Sequence, residues 1–378
     1  MEVELVYRCP RCGNINQLYI GYINNIPYCR RCIGFKKKVA PISPNLKSII
    51  VTPKLNYELS KEQKQISSQL VDNYKKGQNT LVYAVCGAGK TEIVLQVITY
   101  ALSLGRRVGF IIPRREVVKE IAKRLAEIFP TIRVNAIYGG HNQELDGDIL
   151  VLTAHQAYLY ANKFGLVIID EIDAFPYYGN QTLKAFVERT CNEGFIYLSA
   201  TPPKEYETNK VVTLFKRYHR YPLPEPVIIK KSELGQIIWM VKKLRQYYFD
   251  KKPCFVYLPT IKLCKRYYFF YHLFFPSCYL FHSLIENKDE IIKKFRNSEY
   301  KVLFTTTILE RGITFPNLQV IVLYSDHLLF NEMNLIQIAG RVGRNYKYPS
   351  GEVYFLGKTV SEGMKIAVSK IKSANLFT

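Results

Sequence analysis

A short apolar run, residues 81–85 (LVYAV), passes directly into Cys86-Gly87-Ala88-Gly89-Lys90-Thr91 and then into the helix-like pattern EIVLQVITYAL. Few features constrain a fold this tightly, because the three parts act together. The strand delivers the chain to a glycine turn, the turn opens a helix, and the backbone N–H groups of the turn converge on one point. Such a nest suits the phosphates of a nucleotide, with Lys90 reaching the β and γ phosphates and the Thr91 hydroxyl ligating Mg²⁺. Gly87 and Gly89 let the main chain come close. Ala84 stands where the full G-x-x-x-x-G-K-T pattern has its first glycine, a departure the loop tolerates because the later glycines make the closest approach. ATP and Mg²⁺ are therefore expected, on a parallel α/β sheet.

A second apolar run, residues 166–169, ends in Asp170-Glu171-Ile172-Asp173. Carboxylates at the C-terminal end of a parallel strand lie beside the phosphate loop of an open α/β sheet. Asp170 is expected to hold Mg²⁺, and Glu171 to orient and deprotonate the attacking water. Further on, Gln337-Ile338-Ala339-Gly340-Arg341-Val342-Gly343-Arg344 sets two arginines three residues apart, a spacing that predicts one helical face. From a second lobe they would address the γ-phosphate, for which the planar guanidinium is suited.

Cys9, Cys12, Cys29 and Cys32 form C-x2-C-x16-C-x2-C. Each pair makes a tight knuckle, and two knuckles can close on one tetrahedral ion with no position left for water, so a structural Zn²⁺ site is expected. Arg8, Arg11, Arg30 and Arg31 lie in or beside the knuckles, with a run of lysines at 36–38. The module presents either cations to a phosphate backbone or a docking face to a protein. Cys86, Cys191, Cys254, Cys264 and Cys278 follow no spacing rule and read as buried thiols.

The 53 Lys and Arg against 31 Asp and Glu leave a net charge of +22, enough to attract polyanions and to make nucleic acid the leading partner. The surplus is uneven: 8 basic and 2 acidic residues in 1–50, 22 and 18 in 51–226, and 23 and 11 in 227–378. The opening residues have no apolar run of the secretory kind, which predicts a cytoplasmic protein, peripheral at a membrane only through partners. The most apolar stretch, residues 267–281 (YYFFYHLFFPSCYLF), is interrupted by His272 and Pro276 and is too short to span a bilayer. It predicts a buried helix followed by a strand.

In order along the chain, LSKEQ (59–63), AVCGAGKTE (84–92), PR (113–114), YGG (138–140), TAHQ (153–156), DEIDAFPY (170–177), SATP (199–202), FHS (281–283), TTTILERGITFP (305–316) and QIAGRVGR (337–344) resemble the motif set of superfamily two helicases. The longer strings, together with the preceding four-cysteine module, resemble the ComFA family, the ATPases of bacterial competence implicated in bringing transforming single-stranded DNA into the cytoplasm. The resemblance runs from about residue 57 to the C-terminus. It implies that Gln63 reads the adenine edge, that Gly312 and Gln337 also touch nucleotide, and that Ser199 and Thr201 couple nucleotide state to the DNA. It implies as well that Arg114, Gly140, Thr153, His282, Thr305 and Thr306 line the strand path. Other competence proteins at the inner face of the membrane channel are implied partners, and oligomerisation is compatible with the pattern.

Apolar strands near 81–85, 107–112, 148–152, 166–169 and 195–198 alternate with helical patterns, and strands near 254–258, 301–304, 319–323 and 353–356 repeat the arrangement. The expected fold is α/β: a zinc-binding module over 1–45, an ATP-binding RecA-like parallel-sheet lobe over 46–220, and a second such lobe over 221–378. A proline-rich connector at 221–226 marks the boundary. ATP is expected in the cleft between the lobes, which hydrolysis would reopen by hinge motion. The function expected is an ATP-driven single-stranded DNA translocase. A repair or replication-restart helicase or an RNA helicase shares the same motor, and a zinc-ribbon nucleic-acid-binding protein with a vestigial ATPase is opposed by the intact Lys90, Asp170, Glu171, Arg341 and Arg344.

Overall fold

The computed structural model describes residues 7–35, 39–141, 144–306 and 315–377. The chain divides into two compact units, one of residues 1–84 and 89–214, the other of residues 85–88 and 215–378.

The first unit opens with the hairpin β1 (Ile20–Ile23) and β2 (Ile26–Cys29), paired antiparallel. Helix α1 (Lys61–Lys75) begins at a capping box: Ser60 accepts from the Gln63 N–H, and the Gln63 amide oxygen accepts from the Ser60 N–H. There follow β3 (Thr80–Ala84), α2 (Lys90–Ile93), α3 (Leu95–Ser103), β4 (Val108–Ile112), α4 (Arg115–Ile128), β5 (Val134–Ile137), β6 (Ile149–Thr153), β7 (Phe164–Asp170), α5 (Gln181–Glu188), β8 (Cys191–Ser199) and β9 (Lys210–Leu214). Seven strands form one parallel sheet in the order β5-β6-β4-β7-β8-β3-β9. The central strands β4 and β6 are buried at every position, which is why they read as unbroken apolar runs and not as alternating ones.

The second unit contains β10 (Val227–Lys230), α6 (Glu233–Phe249), β11 (Cys254–Tyr257), α7 (Ile261–His272), β12 (Cys278–Phe281), α8 (Lys288–Arg296), β13 (Val302–Thr305), β14 (Gln319–Val322), α9 (Glu332–Ala339), β15 (Val353–Gly357) and α10 (Glu362–Asn375). Among the described residues its sheet is also parallel, in the order β10-β15-β14-β11-β13-β12. The expectation of two parallel-sheet lobes therefore holds.

Residues 267–281 form a helix followed by a strand as expected, the end of α7 and then β12, but the expectation that the helix is buried is corrected. Helix α7 turns Cys264, Tyr267 and Tyr271 inward, while Phe269 and Leu273 are 74% and 70% exposed and Phe270 and Phe274 also face outward. Fifteen residues of nearly uniform apolarity carry no periodicity, and a helix lying on a sheet can bury only one stripe of them. No helix among the described residues is long and apolar enough to cross a membrane.

Candidate active site

In the first sheet β3, β8 and β7 are consecutive neighbours, so the chain ends that follow them share one edge. With strands about 4.8 Å apart, the segment after β3 and Asp170 at the end of β7 are separated by one strand, the one that ends in Ser199. Gly87 and Gly89 have left-handed φ values of +84° and +85°, and a Cβ on Gly89 would collide with the Gln63 amide nitrogen. Glycine is thus required here, and the turn keeps the open cradle of main-chain N–H groups that a phosphate fills. Residues 85–88 of this loop group with the second unit. Lys90 and Thr91 open α2, with Thr91 buried.

Low-dielectric surroundings push the Asp170 carboxyl up to about 6; the positive charge of Lys90 opposes this and the negative charge of Glu171 reinforces it. Lys90, Asp170 and Glu171 are therefore one electrostatic cluster. A bound cation would return Asp170 to its charged form, so the Thr91 hydroxyl and the Asp170 carboxylate fit a hard divalent ion with oxygen ligands. Glu171 has a left-handed φ of +58°, uncommon for a residue with a side chain, and its N–H donates to Asp170 Oδ1 at 2.9 Å.

Behind this cluster, Ser199 Oγ and Thr201 Oγ1 donate to the two carboxylate oxygens of Asp173 at 2.7 and 2.9 Å, and the Thr201 N–H donates to Ser199 Oγ at 2.9 Å. All three residues are buried. Sequence reading assigned nothing to Tyr57 or Arg124, yet both engage Glu92, which directly follows Lys90-Thr91. Tyr57 Oη donates to Glu92 Oε1 at 2.7 Å, and the Arg124 guanidinium of α4 pairs with the same carboxylate. The available signal was Glu92 itself, an acidic residue directly ahead of the apolar run at 93–95.

The residues expected along a strand path divide. Gly140, with φ +84°, is exposed beside stacked Tyr138 and His141, and Arg114 occupies the N-cap position of α4 without a side-chain capping bond. Thr153, His282 and Thr305 are buried. His282 Nδ1 accepts the Leu284 N–H, and Thr305 Oγ1 donates to the carbonyl of the half-buried Thr306. Gly312 lies outside the described residues.

The one-face helix expected for Arg341 and Arg344 is corrected: α9 stops at Ala339, with Gly340 as its C-cap, and both arginines belong to the turn beyond it. Gly343 has φ +68° and would bring a Cβ against the Pro349 carbonyl, so the helix cannot continue through it. Arg341 is buried, as is Gln337 on α9; Arg344 Nε donates to the Gly340 carbonyl at 2.8 Å.

Cys9, Cys12, Cys29 and Cys32 place their four sulfur atoms within 4.8 Å of one another. The Cys9–Cys32 and Cys12–Cys29 Sγ separations are 3.9 and 3.7 Å. A tetrahedron with metal–sulfur bonds of about 2.3 Å has edges of about 3.8 Å, so the donor set fits one tetrahedral thiolate-bound ion. The cluster is part of the first unit's core. Phe35, three residues after Cys32, packs edge-on against Tyr158 and Phe186 with centroids 5.1 and 4.8 Å away.

A phosphate cradle, an acidic pair and a second parallel-sheet lobe with a basic turn define a nucleic-acid-dependent ATPase of helicase superfamily two. Residues 61–208 match the DEAD/DEAH box helicase family and residues 239–346 the helicase conserved C-terminal domain. The chain belongs to the ComFA family of competence-related, helicase-like ATPases. It is 34% identical to competence protein ComFA of Bacillus subtilis, over 98% of this chain and 86% of that protein. It is 30% identical to the Streptococcus pneumoniae protein of the same name, over 97% and 90%. Among solved structures, S. cerevisiae Dbp5 bound to RNA and ADP BeF3 matches with a TM-score of 0.57 at 16% identity, over 84% of this chain and 91% of that one, a likeness of fold.

Proposed function

We propose that the chain is an ATP-driven single-stranded DNA translocase that moves transforming DNA during natural competence. The observation that carries the reading is the bonding of Ser199 and Thr201 to Asp173, two residues beyond the acid–base carboxylate Glu171. A change at the γ-phosphate that shifts Glu171 reaches the β8 end through Asp173, so hydrolysis acquires a mechanical output. The nearly full-length kinship with two competence proteins supports DNA as the track. The +12 surplus of residues 227–378 supports a phosphate backbone as what is gripped.

In this reading Gly87, Gly89 and Lys90 cradle the phosphates, Thr91 and Asp170 hold Mg²⁺, and Gln63, Gly312 and Gln337 contact the nucleotide. The cation supplies charge neutralisation at the phosphate oxygens. Glu171 accepts a proton from the attacking water, and Arg341 and Arg344 stabilise charge on the transferred phosphoryl group. Cys9, Cys12, Cys29 and Cys32 bind a structural Zn²⁺. Arg8, Arg11, Arg30 and Arg31 of that module add DNA phosphate contacts, in a stretch with no acidic residue between positions 5 and 57.

ATPase rate measured against poly-dT, duplex DNA and RNA tests the proposal. Poly-dT is expected to stimulate severalfold and more than duplex, with an affinity that falls steeply with salt as phosphate contacts release counterions. Stronger stimulation by RNA, or stimulation indifferent to salt, rejects it.

A further inference from the structure

Arg217 is among the largest fully buried side chains of the protein, and the proposed chemistry gives it no role, although it bonds the first residue of the phosphate loop. A buried guanidinium is ordinarily paired with a carboxylate, because an uncompensated charge in a low-dielectric interior is costly. Among the described residues no carboxylate contributes; the partners are main-chain carbonyls. Nη1 donates to Gly343 at 2.8 Å, and Nη2 to Val342 at 2.8 Å and Gly340 at 3.3 Å. Nε donates to the carbonyl of Cys86, which groups with the same unit.

The two following residues hold the same segment. Tyr218 Oη donates to the Arg344 carbonyl at 3.0 Å and His219 Nε2 to the Gly343 carbonyl at 2.8 Å, with His219 Nδ1 accepting the Tyr221 N–H. Residues 217–219 thus form a strap across the turn that carries Arg341 and Arg344.

We infer that Arg217 is a positioning residue for hydrolysis: it fixes the backbone of residues 340–343, so that Arg341 and Arg344 leave that turn in one direction. The inference rests on the proposed role of those two arginines at the γ-phosphate. Its physical basis is the end of α9. A helix leaves its last carbonyls without intrahelical donors, and the glycines at 340 and 343 make the segment beyond it intrinsically loose. A cation at this end also meets the negative pole of the helix. The planar guanidinium serves four carbonyls at once, those of Gly340, Val342, Gly343 and Cys86, whereas a lysine ammonium has three donors and no fixed plane and can hold only part of the set.

Arg217 and Arg344 share an acceptor, the Gly340 carbonyl. When Arg344 swings to a phosphate, Arg217 keeps that carbonyl bonded. Burial, and then the charge of Arg344, pull Arg217 down to about 10, so it stays protonated at neutral pH and the repulsion between the two persists.

The test is steady-state ATPase of the full chain with poly-dT, together with direct binding of a fluorescent ATP analogue. For Arg217→Gln a fall in kcat of about tenfold or more is expected, with analogue affinity within about threefold of wild type. Arg217→Lys recovers part of the rate. In a background that carries both Arg341→Ala and Arg344→Ala, adding Arg217→Gln lowers kcat no further, because both aimed groups are already gone. Wild-type kcat in Arg217→Gln, a loss confined to analogue binding, or a further loss in that background overturns the inference. A normal rate in Arg341→Ala instead rejects the reading beneath it, whereas a slow Arg341→Ala with a normal Arg217→Gln rejects Arg217 alone. If Arg217→Gln does not fold, as judged by its thermal transition, Arg217→Lys and His219→Ala decide. Both loosen the strap and are expected to lower kcat, and wild-type rates in both overturn the proposal.

Discussion

Ser199 Oγ bonds to Asp173 Oδ1 at 2.7 Å inside the first unit, joining the end of β8 to the acidic turn that follows β7. The Thr201 hydroxyl takes the other carboxylate oxygen, so Asp173 spans both hydroxyls. Such a bonded set has few alternative arrangements, which suits it to carry a displacement instead of absorbing it. In Ser199→Ala plus Thr201→Ala, the stimulation of ATPase by poly-dT is expected to fall several-fold relative to the unstimulated rate. A stimulation ratio equal to wild type would remove the coupling role.

Lys90 and Glu171 make different contributions, and their substitutions are expected to separate. Lys90→Ala removes the flexible cation of the cradle, and ATP binding is expected to be lost. Glu171→Gln keeps shape and hydrogen bonding but accepts no proton, so ATP binds while turnover falls by two or more orders of magnitude, roughly the general-base contribution. Equilibrium binding of labelled ATP beside kcat distinguishes the two; normal turnover in Glu171→Gln places the base elsewhere.

The four cysteines predict one Zn²⁺ per chain by elemental analysis and its loss in Cys9→Ser plus Cys12→Ser. Because Phe35 packs on Tyr158 and Phe186, metal loss is expected to expose residues 7–35 to protease and to loosen that aromatic cluster. ATP-analogue binding is expected to survive, since the phosphate loop begins some fifty residues later. Purified wild-type protein without zinc removes the assignment.

The parts of this molecule that could be read from sequence are those whose geometry is local. Cys86 to Thr91 declare a phosphate loop because strand, glycines and helix are consecutive, and Asp170-Glu171 stand at the end of an apolar run that could only be a buried strand. Ser60-Lys61-Glu62-Gln63 likewise carries a capping box in its spacing. The arginine turn misled because three-residue spacing suits both a helix and a tight turn, and Gly340 and Gly343 decide for the turn. Residues 267–281 misled because uniform apolarity hides which stripe faces in. Arg217 left no trace, since its partners are carbonyl groups that every residue possesses, more than 120 positions away in the case of the turn.

Glu352, just before β15, gives the second unit a pH-dependent tie to α6. Its carboxylate accepts from Tyr247 Oη at 2.6 Å and pairs with Lys243 at 2.7 Å. Burial pushes the carboxyl up, but the bonds from Lys243 and Tyr247 outweigh it and hold the group below the ordinary glutamate value. A carboxylate depressed on folding contributes stability that is full above the unfolded value, about 4.3, and is lost as pH falls through the lower folded value. The contribution is modest, about 1 kcal/mol or less, because the pair is partly open to solvent and screened. Glu352→Gln is therefore expected to lower the thermal midpoint of the second unit's transition by a nearly constant amount between about pH 6 and 9. The gap to wild type should then close as the pH is taken below about 4, where wild-type Glu352 is protonated too. Midpoints of both proteins measured in matched buffers check this, and a gap that stays unchanged in acid shows that Glu352 acts by packing and not by charge.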